Sequence, residues 1–162
     1  MKNIILALFV LSFVFTSCSK EDKKCDLVET NNTAPANETA NVETYLSGAG
    51  ITDAQKHPSG FYYKITQTGT GKPVVNLCSN ITIKYVGKLT NGNIFDQSPS
   101  GETRTFKLGG LILGWQKGVP LISSGGKITL YIPPSLGYGS APNQGIPANS
   151  ILVFDIELIN VT

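Results

Sequence analysis

The acidic residue Asp96 stands directly after two large apolar residues, a position that normally leads into a core. The preceding Asn91-Gly92 pair is the strongest short hairpin signal, because a type I′ turn needs positive φ at both central positions. A straight hairpin pairs Asp96 with Gly87 and places it diagonally beside Tyr85, within reach of a long aromatic side chain. The sequence therefore predicts a hydrogen bond from the Tyr85 hydroxyl to the Asp96 carboxylate.

The same straight register turns Phe95 away from the face that carries the acid. It pairs Thr90 with Asn93, Leu89 with Ile94, Lys88 with Phe95 and Tyr85 with Ser98. A β-bulge near Gly87 would change this arrangement, because a bulge sets two residues of one strand against one of its partner. The orientation of Phe95 therefore depends on whether the hairpin is regular.

Histidine chemistry and metal chemistry have little support in this sequence. The only histidine, His57, stands before Pro58 in a turn-like stretch, which leaves His-dependent nucleophilic catalysis unsupported. Cys25 and Cys78 lack the CxxC spacing of a redox or zinc site, so we expect neither a metal nor a cofactor. In an exported protein these two cysteines could form one disulfide, and the sequence leaves open whether they do.

Charge argues against nucleic acid as a partner. The chain has 13 Lys and Arg against 11 Asp and Glu, and loss of Lys2 with a signal peptide would leave a formal charge of +1. Residues 18–58 carry 4 basic and 7 acidic groups, whereas residues 59–162 carry 8 basic and 4 acidic groups. This distribution indicates a solvated tether followed by a mildly basic domain, without the strong positive field that nucleic acid requires.

The first 17 residues have the pattern of a secretory signal peptide. Lys2 supplies the positive start, and the apolar run over residues 4–15 is too short to span a bilayer comfortably. FTSC, ending at Cys18, resembles the lipobox of bacterial lipoproteins, in which the cysteine is lipidated and becomes the first mature residue. Phe15 departs from that pattern, where an aliphatic residue is usual, so the alternative is a plain secretory cleavage.

Residues 18–22 add information about location. Their sequence, CSKED, resembles the Lys-plus-acid export tag with which some Gram-negative bacteria send lipoproteins to the cell surface. We therefore expect a lipid-anchored protein in the cell envelope of a Gram-negative-type bacterium, either periplasmic or exposed at the surface.

The rest of the chain divides into three segments by composition. Residues 18–40 are polar and poor in large apolar groups, which predicts a disordered tether. Residues 41–58 are expected to form a short helical extension, since apolar residues recur at helical spacing within 41–51. Residues 59–162 form the predicted domain.

Within this domain the apolar pattern changes to a period of two, which is typical of strands. The predicted strands are 62–66, 81–90, 105–108, 127–132 and 151–159, and the one helix candidate is 111–119. The last strand alternates apolar residues with acids, so one face of its sheet is wet. The fold expected is α+β, mainly β, with one helix covering the dry face of an antiparallel sheet.

Four stretches in this domain resemble FKBP-type peptidyl-prolyl cis-trans isomerases in order and approximate spacing. They are IKYVGKLTNGNIFDQS, FKLGGLILGWQKGVP, IPPSLGYG and IPANSILVFDIEL, and the resemblance covers residues 59–162. It implies a bent antiparallel sheet of five to six strands wrapped around one short helix. With the lipobox, the chain is similar to bacterial lipoprotein members, which would isomerise X-Pro bonds of exported proteins and assist folding.

The resemblance also implies an apolar pocket for the proline ring, with non-covalent catalysis. The residues it assigns to catalysis are Tyr85, Asp96, Ile112, Trp115 and Tyr138, and those it assigns to substrate binding are Phe95, Phe106, Leu111, Ile146 and Phe154. Trp115 would form the floor, and Tyr138 and Ile146 would belong to a flap. Asp96, Tyr138 and the Ile112 N–H would make the polar contacts. Phe95 fits as a wall only if its strand bends or bulges near Gly87.

Three residues depart from the family pattern. Arg104 stands two positions before Phe106, where an aromatic or aliphatic residue is common, while Leu113 replaces a common Pro and Gly137 a common Ala. These departures bear on rate, substrate preference and affinity for macrolide inhibitors. They keep open the alternative of a non-catalytic proline-peptide-binding or chaperone module on a surface lipoprotein. A purely structural or adhesive lipoprotein would not need Asp96 and Tyr138 together with Trp115.

Overall fold

A computed structural model describes residues 25–162, so the predicted signal peptide and Cys18 lie outside the described residues. The helices are α1 (Ala36–Gly48) and α2 (Leu113–Gly118), and the strands are β1 (Gln55–Lys56), β2 (Tyr62–Gln67), β3 (Asn80–Leu89), β4 (Ile94–Gln97), β5 (Arg104–Lys107), β6 (Gly126–Ile132) and β7 (Leu152–Val161). They form one seven-stranded sheet in the order β1-β2-β6-β7-β3-β4, with β5 also paired to β3. Every pairing is antiparallel. The predicted α+β class is confirmed.

The core lies between one face of the sheet and α2. Alternate residues of the three central strands are buried on this face, as the period-two pattern predicts. They include Ile81 and Ile83 of β3, Ile128 and Leu130 of β6, and Phe154, Ile156 and Leu158 of β7. Each fully buried aliphatic side chain contributes roughly 1.5–3 kcal/mol through its removal from water. The strands that carry this core therefore form a stable base for the residues at its edge.

Two glycines let α2 approach the sheet closely. A Cβ on Gly114 would lie 2.6–2.8 Å from side-chain carbons of Ile132, and one on Gly118 would lie 2.7 Å from Leu130. Residues four apart share a helix face, so both contacts are made by the same side of α2. The helix begins and ends within the predicted range 111–119 and continues into a 3-10 turn at Val119–Leu121.

The opposite face of the sheet is partly covered by α1. Val42 and Leu46 are buried there against Tyr131 of β6 and Val153 of β7. The helix begins at Ala36, so the expected start at residue 41 is wrong and residues 36–40 are not part of a disordered tether. The Thr39 hydroxyl donates to the Gly60 carbonyl at 3.2 Å. A hydrogen bond to a distant residue helps to order this segment, although its polar composition predicted a disordered linker.

Residues 25–35, here called the strap, also lie against the domain. Cys25 forms a disulfide with Cys78, which realises the pairing that the sequence left open. The Lys117 ammonium donates to the Thr30 carbonyl, and the Ala34 N–H donates to the Ser59 carbonyl at 2.8 Å. The part of the predicted tether that the structure describes is thus attached at several points. Within residues 25–162, no helix has the length and apolar character that a membrane crossing requires.

Candidate functional site

The β3–β4 hairpin, which positions Asp96, does not have the predicted type I′ turn. Gly92 has φ +87°, but Asn91 is not among the residues with positive φ. The Gly92 N–H donates to the Leu89 carbonyl and the Leu89 N–H donates to the Asn93 carbonyl, both at 2.9 Å. This pattern is a three-residue loop made of a type I turn followed by a glycine bulge, which shifts the pairing by one residue.

A second irregularity shifts the pairing back. Lys88 pairs with Ile94 and Gly87 pairs with Asp96, so Phe95 is the additional residue of a bulge. The predicted pairing of Lys88 with Phe95 is therefore wrong, whereas that of Gly87 with Asp96 is confirmed. Because the two one-residue shifts cancel, Asp96 reaches the face of the sheet on which the straight hairpin placed it.

Asp96 accepts a hydrogen bond from Tyr85, as predicted. The Tyr85 Oη to Asp96 Oδ2 distance is 2.6 Å, and the tyrosine is 5% exposed. Burial raises the pKa of Tyr85 well above its usual range, and the hydrogen bond to Asp96 raises it further. The hydroxyl therefore keeps its proton at neutral pH and acts as a donor. Asp96 Oδ1 receives no hydrogen bond from the side chains and backbone of residues 25–162.

The bulge brings Phe95 to the core face without making it line the cavity. A Cβ on Gly87 would lie 2.8 Å from Phe95 Cζ and 2.7 Å from Phe154 Cε1, so glycine leaves space that the two rings fill. Their centroids lie 5.4 Å apart at 90°. Phe95 thus supports Phe154 from behind, and the bulge near Gly87 reconciles its position with the hairpin, which a straight register could not do.

Aromatic rings surround Trp115, which is the first-turn residue of α2 and is 4% exposed. Its ring packs edge to face against Tyr85 at 5.3 Å, Phe154 at 5.0 Å and Phe106 at 6.5 Å. Each such pair contributes about 0.5–1.5 kcal/mol beyond the area it buries. The Trp115 indole Nε1–H has no acceptor among the described residues, so packing alone holds the ring.

The loop before α2 supplies the next wall and a free donor. Gln116 holds this loop, because its side-chain amide donates to the Leu111 carbonyl at 2.6 Å and to the Gly109 carbonyl at 3.3 Å. Ile112 precedes the helix in an extended conformation. Within residues 25–162 its own N–H makes no hydrogen bond. The loop therefore offers one backbone donor to a ligand.

The two predicted flap residues lie in different environments. Tyr138 follows the 3-10 turn Pro134–Leu136 and is 39% exposed. Burial of its hydroxyl and the charge of Asp96 both raise the Tyr138 pKa, so this hydroxyl is protonated at neutral pH. Ile146 is 5% exposed and belongs to the core cluster. Tyr138 is thus available at the site, whereas Ile146 fixes its loop to the domain.

Together these groups enclose a cavity of about 230 Å³. Its lining consists of Tyr85, Asp96, Phe106, Gly110, Leu111, Ile112, Trp115, Tyr138 and Phe154. Eight of the ten predicted site residues are in this set, and Phe95 and Ile146 are not. The wall is mostly apolar, and its polar groups are concentrated at the Tyr85–Asp96 pair, Tyr138 and the Ile112 N–H. Such a cavity can hold one small apolar group and donate hydrogen bonds around it.

Two contributors to the site were missed by sequence reasoning. Gly110 lines the cavity, and Gln116 holds the loop that carries Leu111 and Ile112. Gln116 lies next to Trp115 in the sequence, but its acceptors are five and seven residues earlier on an irregular segment. No periodicity could indicate that contact, because it depends on how the loop folds back onto α2.

Comparison with known proteins supports a specific assignment. A family model described as FKBP-type peptidyl-prolyl cis-trans isomerase matches residues 72–159. The FKBP-type peptidyl-prolyl cis-trans isomerase FkpA of Buchnera aphidicola subsp. Schizaphis graminum is 49% identical over 107 residues, which are 65% of this chain and 42% of that protein. FkpA of Escherichia coli K12 is 43% identical over 104 residues, 64% of this chain and 38% of that protein. The chain thus spans less than half the length of these two curated relatives.

A solved structure extends this similarity to the fold. The crystal structure of a peptidyl-prolyl cis-trans isomerase from Pseudomonas syringae pv. tomato aligns with a TM-score of 0.66 and 30% identity, covering 81% of this chain and 98% of that one.

Proposed function

Because the chain belongs to the FKBP-type peptidyl-prolyl cis-trans isomerase family, we propose that it isomerises X-Pro peptide bonds in exported polypeptides and assists their folding. The observation that supports this activity most strongly is the aromatic cavity of about 230 Å³ with its hydrogen-bond donors at the rim. A proline ring is a compact apolar group of the kind that such a cavity accepts, and the flanking peptide amides need polar partners.

The reaction needs no covalent step. Rotation about an X-Pro bond passes through a twisted amide that has lost its resonance, with a barrier of roughly 18–20 kcal/mol. The planar amide is more polar and better solvated than the twisted one, so an apolar, water-poor cavity favours the twisted form. Each ~1.4 kcal/mol of preference for that form accelerates the rotation about tenfold.

Each part of substrate binding and catalysis can be assigned to a residue of the cavity. We assign the floor under the proline ring to Trp115, since packing on three sides fixes its indole. The Ile112 N–H and the Tyr138 hydroxyl would donate to substrate carbonyl groups. Tyr85 donates to one oxygen of Asp96, and the other oxygen makes no hydrogen bond within the described residues. The negative charge of the carboxylate can therefore interact electrostatically with the substrate amide as the amide twists.

Turnover of a proline peptide by the mature full-length chain tests this proposal. A protease-coupled assay on Ala-Leu-Pro-Phe should give a rate constant for isomerisation that rises linearly with protein concentration. A rate equal to the uncatalysed background would contradict the activity. Binding of the same peptide without any acceleration would support the alternative, a module that binds proline segments without turnover.

We further propose that the chain is exported and anchored by a lipid on Cys18. The lipobox-like sequence before this residue supports the anchor, and the Cys25–Cys78 disulfide fits an oxidising compartment such as the cell envelope. Six residues lie between Cys18 and Cys25, and the seven Cα–Cα steps that join the two cysteines extend at most ~25 Å, so the disulfide would keep the domain close to the membrane. The intact mass of protein extracted from membranes tests the anchor, and the mass of an unmodified mature chain would exclude it.

Macrolide inhibitors are proposed ligands of the same cavity. Trp115 is the only tryptophan of the chain and lines the cavity, so its fluorescence reports directly on occupancy. Titration with a macrolide should change the emission in a saturable way and inhibit turnover with the same midpoint. Arg104 and Leu113 differ from the residues common in the family, so an unchanged emission at high macrolide concentration would exclude this ligand class.

A further inference from the structure

Arg104 lies on the cavity side of strand β5. It pairs with Ile83 of β3, as Phe106 pairs with Ile81. Directly opposite residues of antiparallel strands lie on one face, and so do residues two apart. Ile83 belongs to the buried core face and Phe106 lines the cavity. The Arg104 side chain therefore extends from the same face, at the rim beside the cavity.

The guanidinium of Arg104 has no anionic partner among residues 25–162. The side chain is exposed, and none of the ion pairs between described residues includes it. The carboxylate of Asp96, which also lines the cavity, is bonded to the Tyr85 hydroxyl instead. Burial and Asp96 raise the pKa of Tyr85, and the charge of Arg104 opposes them, which agrees with its place next to Ile83 at this end of the cavity.

The cavity is small enough to leave the neighbours of a bound proline at its rim. Its volume of about 230 Å³ is below the ~300–1,000 Å³ of sites that enclose drug-sized ligands. The residues before and after the proline must therefore extend over the edge of the cavity, where Arg104 is located. An arginine fork matches the geometry of a carboxylate and can bind it through two parallel hydrogen bonds.

We propose that Arg104 determines substrate specificity by binding the carboxylate of an Asp or Glu that flanks the substrate proline. This inference rests on the proposed isomerase site and adds a substrate class to it. Residues 59–162 carry 8 basic and 4 acidic groups, so the field of the whole domain also favours an acidic segment. An apolar residue at position 104 would instead extend the wall next to Phe106.

Peptides that differ only in charge test this specificity. One pair is Ala-Glu-Pro-Phe and Ala-Gln-Pro-Phe, and a second pair places Glu or Gln directly after the proline. NMR exchange measurements with the mature full-length chain give kcat/KM for each peptide. In at least one pair the Glu peptide should be favoured roughly 1.5- to 5-fold, the range expected for an exposed ion pair. The preference should decline toward one at about 0.5 M salt.

Substitutions on β5 test whether the preference for Glu peptides depends on Arg104. Arg104→Gln should abolish it while the Gln peptides are still turned over, and Arg104→Lys should retain part of it. Lys107→Gln is the matched control, because Lys107 lies on the same strand three residues away and its side chain points to the opposite face. This control should keep the full preference.

The outcomes separate this inference from the activity itself. A wild-type chain without any Glu preference, or a preference that persists in Arg104→Gln, would overturn the role of Arg104 while turnover still supports the isomerase. If no peptide is turned over, the isomerase proposal fails. The ¹⁵N NMR titration of the same peptides then decides the role of Arg104, since the ratio of dissociation constants should show the same dependence on Arg104 and its absence would overturn it.

Discussion

At the scale of single residues, hydrogen bonds fix both the backbone and the side-chain hydroxyl of Tyr85. Its backbone lies where the edge of β3 changes partner, between Ile83, which pairs with β5, and Val86, which pairs with β4. Ser98 bridges this junction, because its N–H donates to the Tyr85 carbonyl at 3.0 Å and its Oγ accepts the Tyr85 N–H at 3.1 Å. The hydroxyl is bonded to Asp96. The polar pair is therefore positioned before any ligand arrives.

This burial predicts a specific dependence of stability on pH. The folded-state pKa of Tyr85 is raised, so the native chain keeps this proton at a pH where the unfolded chain loses it, above about 10. The stabilisation is complete below that pH and is lost as the pH rises toward the folded-state value. Tyr85→Phe should therefore make the decline in the free energy of unfolding shallower between pH 9 and 11.

Urea unfolding at several pH values measures this slope for the wild type and for Tyr85→Phe. Tyr62, Tyr131 and Tyr138 also have raised pKa values, but they are present in both proteins and cancel in the comparison. Equal slopes for the two proteins would contradict the burial and bonding described for Tyr85.

The pairing of Tyr85 with Asp96 was predictable, but only in part for the right reason. The Asn91-Gly92 signal located the hairpin, and the parity of the strands placed Asp96 on the correct face. The predicted turn type was wrong, but the bulge at Phe95 shifts the pairing by one residue and so restores the predicted pairing of Gly87 with Asp96. That bulge depends on how Phe95 and Phe154 pack over Gly87, which is a contact between distant strands that local sequence does not contain.

At the scale of elements, the close contact between α2 and β6 determines the position of Trp115. Gly114→Ala should destabilise the chain by about 1–3 kcal/mol through overpacking, although alanine is the better helix former. The reason is that the new Cβ would lie 2.6–2.8 Å from Ile132, a β-branched side chain with restricted χ1. Gly48→Ala is the matched control, since nothing lies within 4 Å of its Cβ position.

Thermal or urea unfolding of both variants checks this prediction. Gly48→Ala should be neutral or up to about 1 kcal/mol more stable than the wild type. Equal stability of Gly114→Ala and the wild type would mean that α2 is not packed as tightly as described.

The elements that sequence reasoning found are those with long periodic patterns, such as β3 and β7. It missed β1, because a strand of two residues shows no alternation. It placed the start of α1 too late, because the residues at its beginning are polar and are fixed by contacts outside the helix. Glu38, for example, accepts a hydrogen bond from the Ser135 N–H at 2.8 Å.

At the scale of the whole molecule, the disulfide links the strap to the loop that contains Cys78. Cys78 follows Leu77, whose carbonyl accepts the Gly109 N–H at 2.8 Å. The strap residue Leu27 contacts the same glycine, since Leu27 Cδ1 lies 2.5 Å from the position of a Cβ on Gly109. The strap therefore supports the segment that leads to the cavity residues Gly110 and Leu111.

Breaking this disulfide should lower the free energy of unfolding. The cysteines are 53 residues apart, and a closed loop of that size stabilises the folded state by about 2–4 kcal/mol. Urea unfolding of the oxidised chain, with and without dithiothreitol, measures the difference. The variant carrying Cys25→Ser and Cys78→Ser should match the reduced chain and should not respond to the reductant. Coinciding curves for the oxidised and reduced wild type would contradict a structural role of the disulfide.

The most direct test of the central claim is the catalysed rate of X-Pro isomerisation in variants of the cavity, measured by NMR exchange. Asp96→Ala should lower the rate about 10- to 100-fold, since it removes hydrogen bonds to a charged group, and Tyr138→Phe about 2- to 10-fold, since it removes a neutral one. Asp53→Ala, which removes an exposed acid paired with Lys64, should leave the rate unchanged. Wild-type rates in both cavity variants would contradict the assignment of this cavity as the isomerase site.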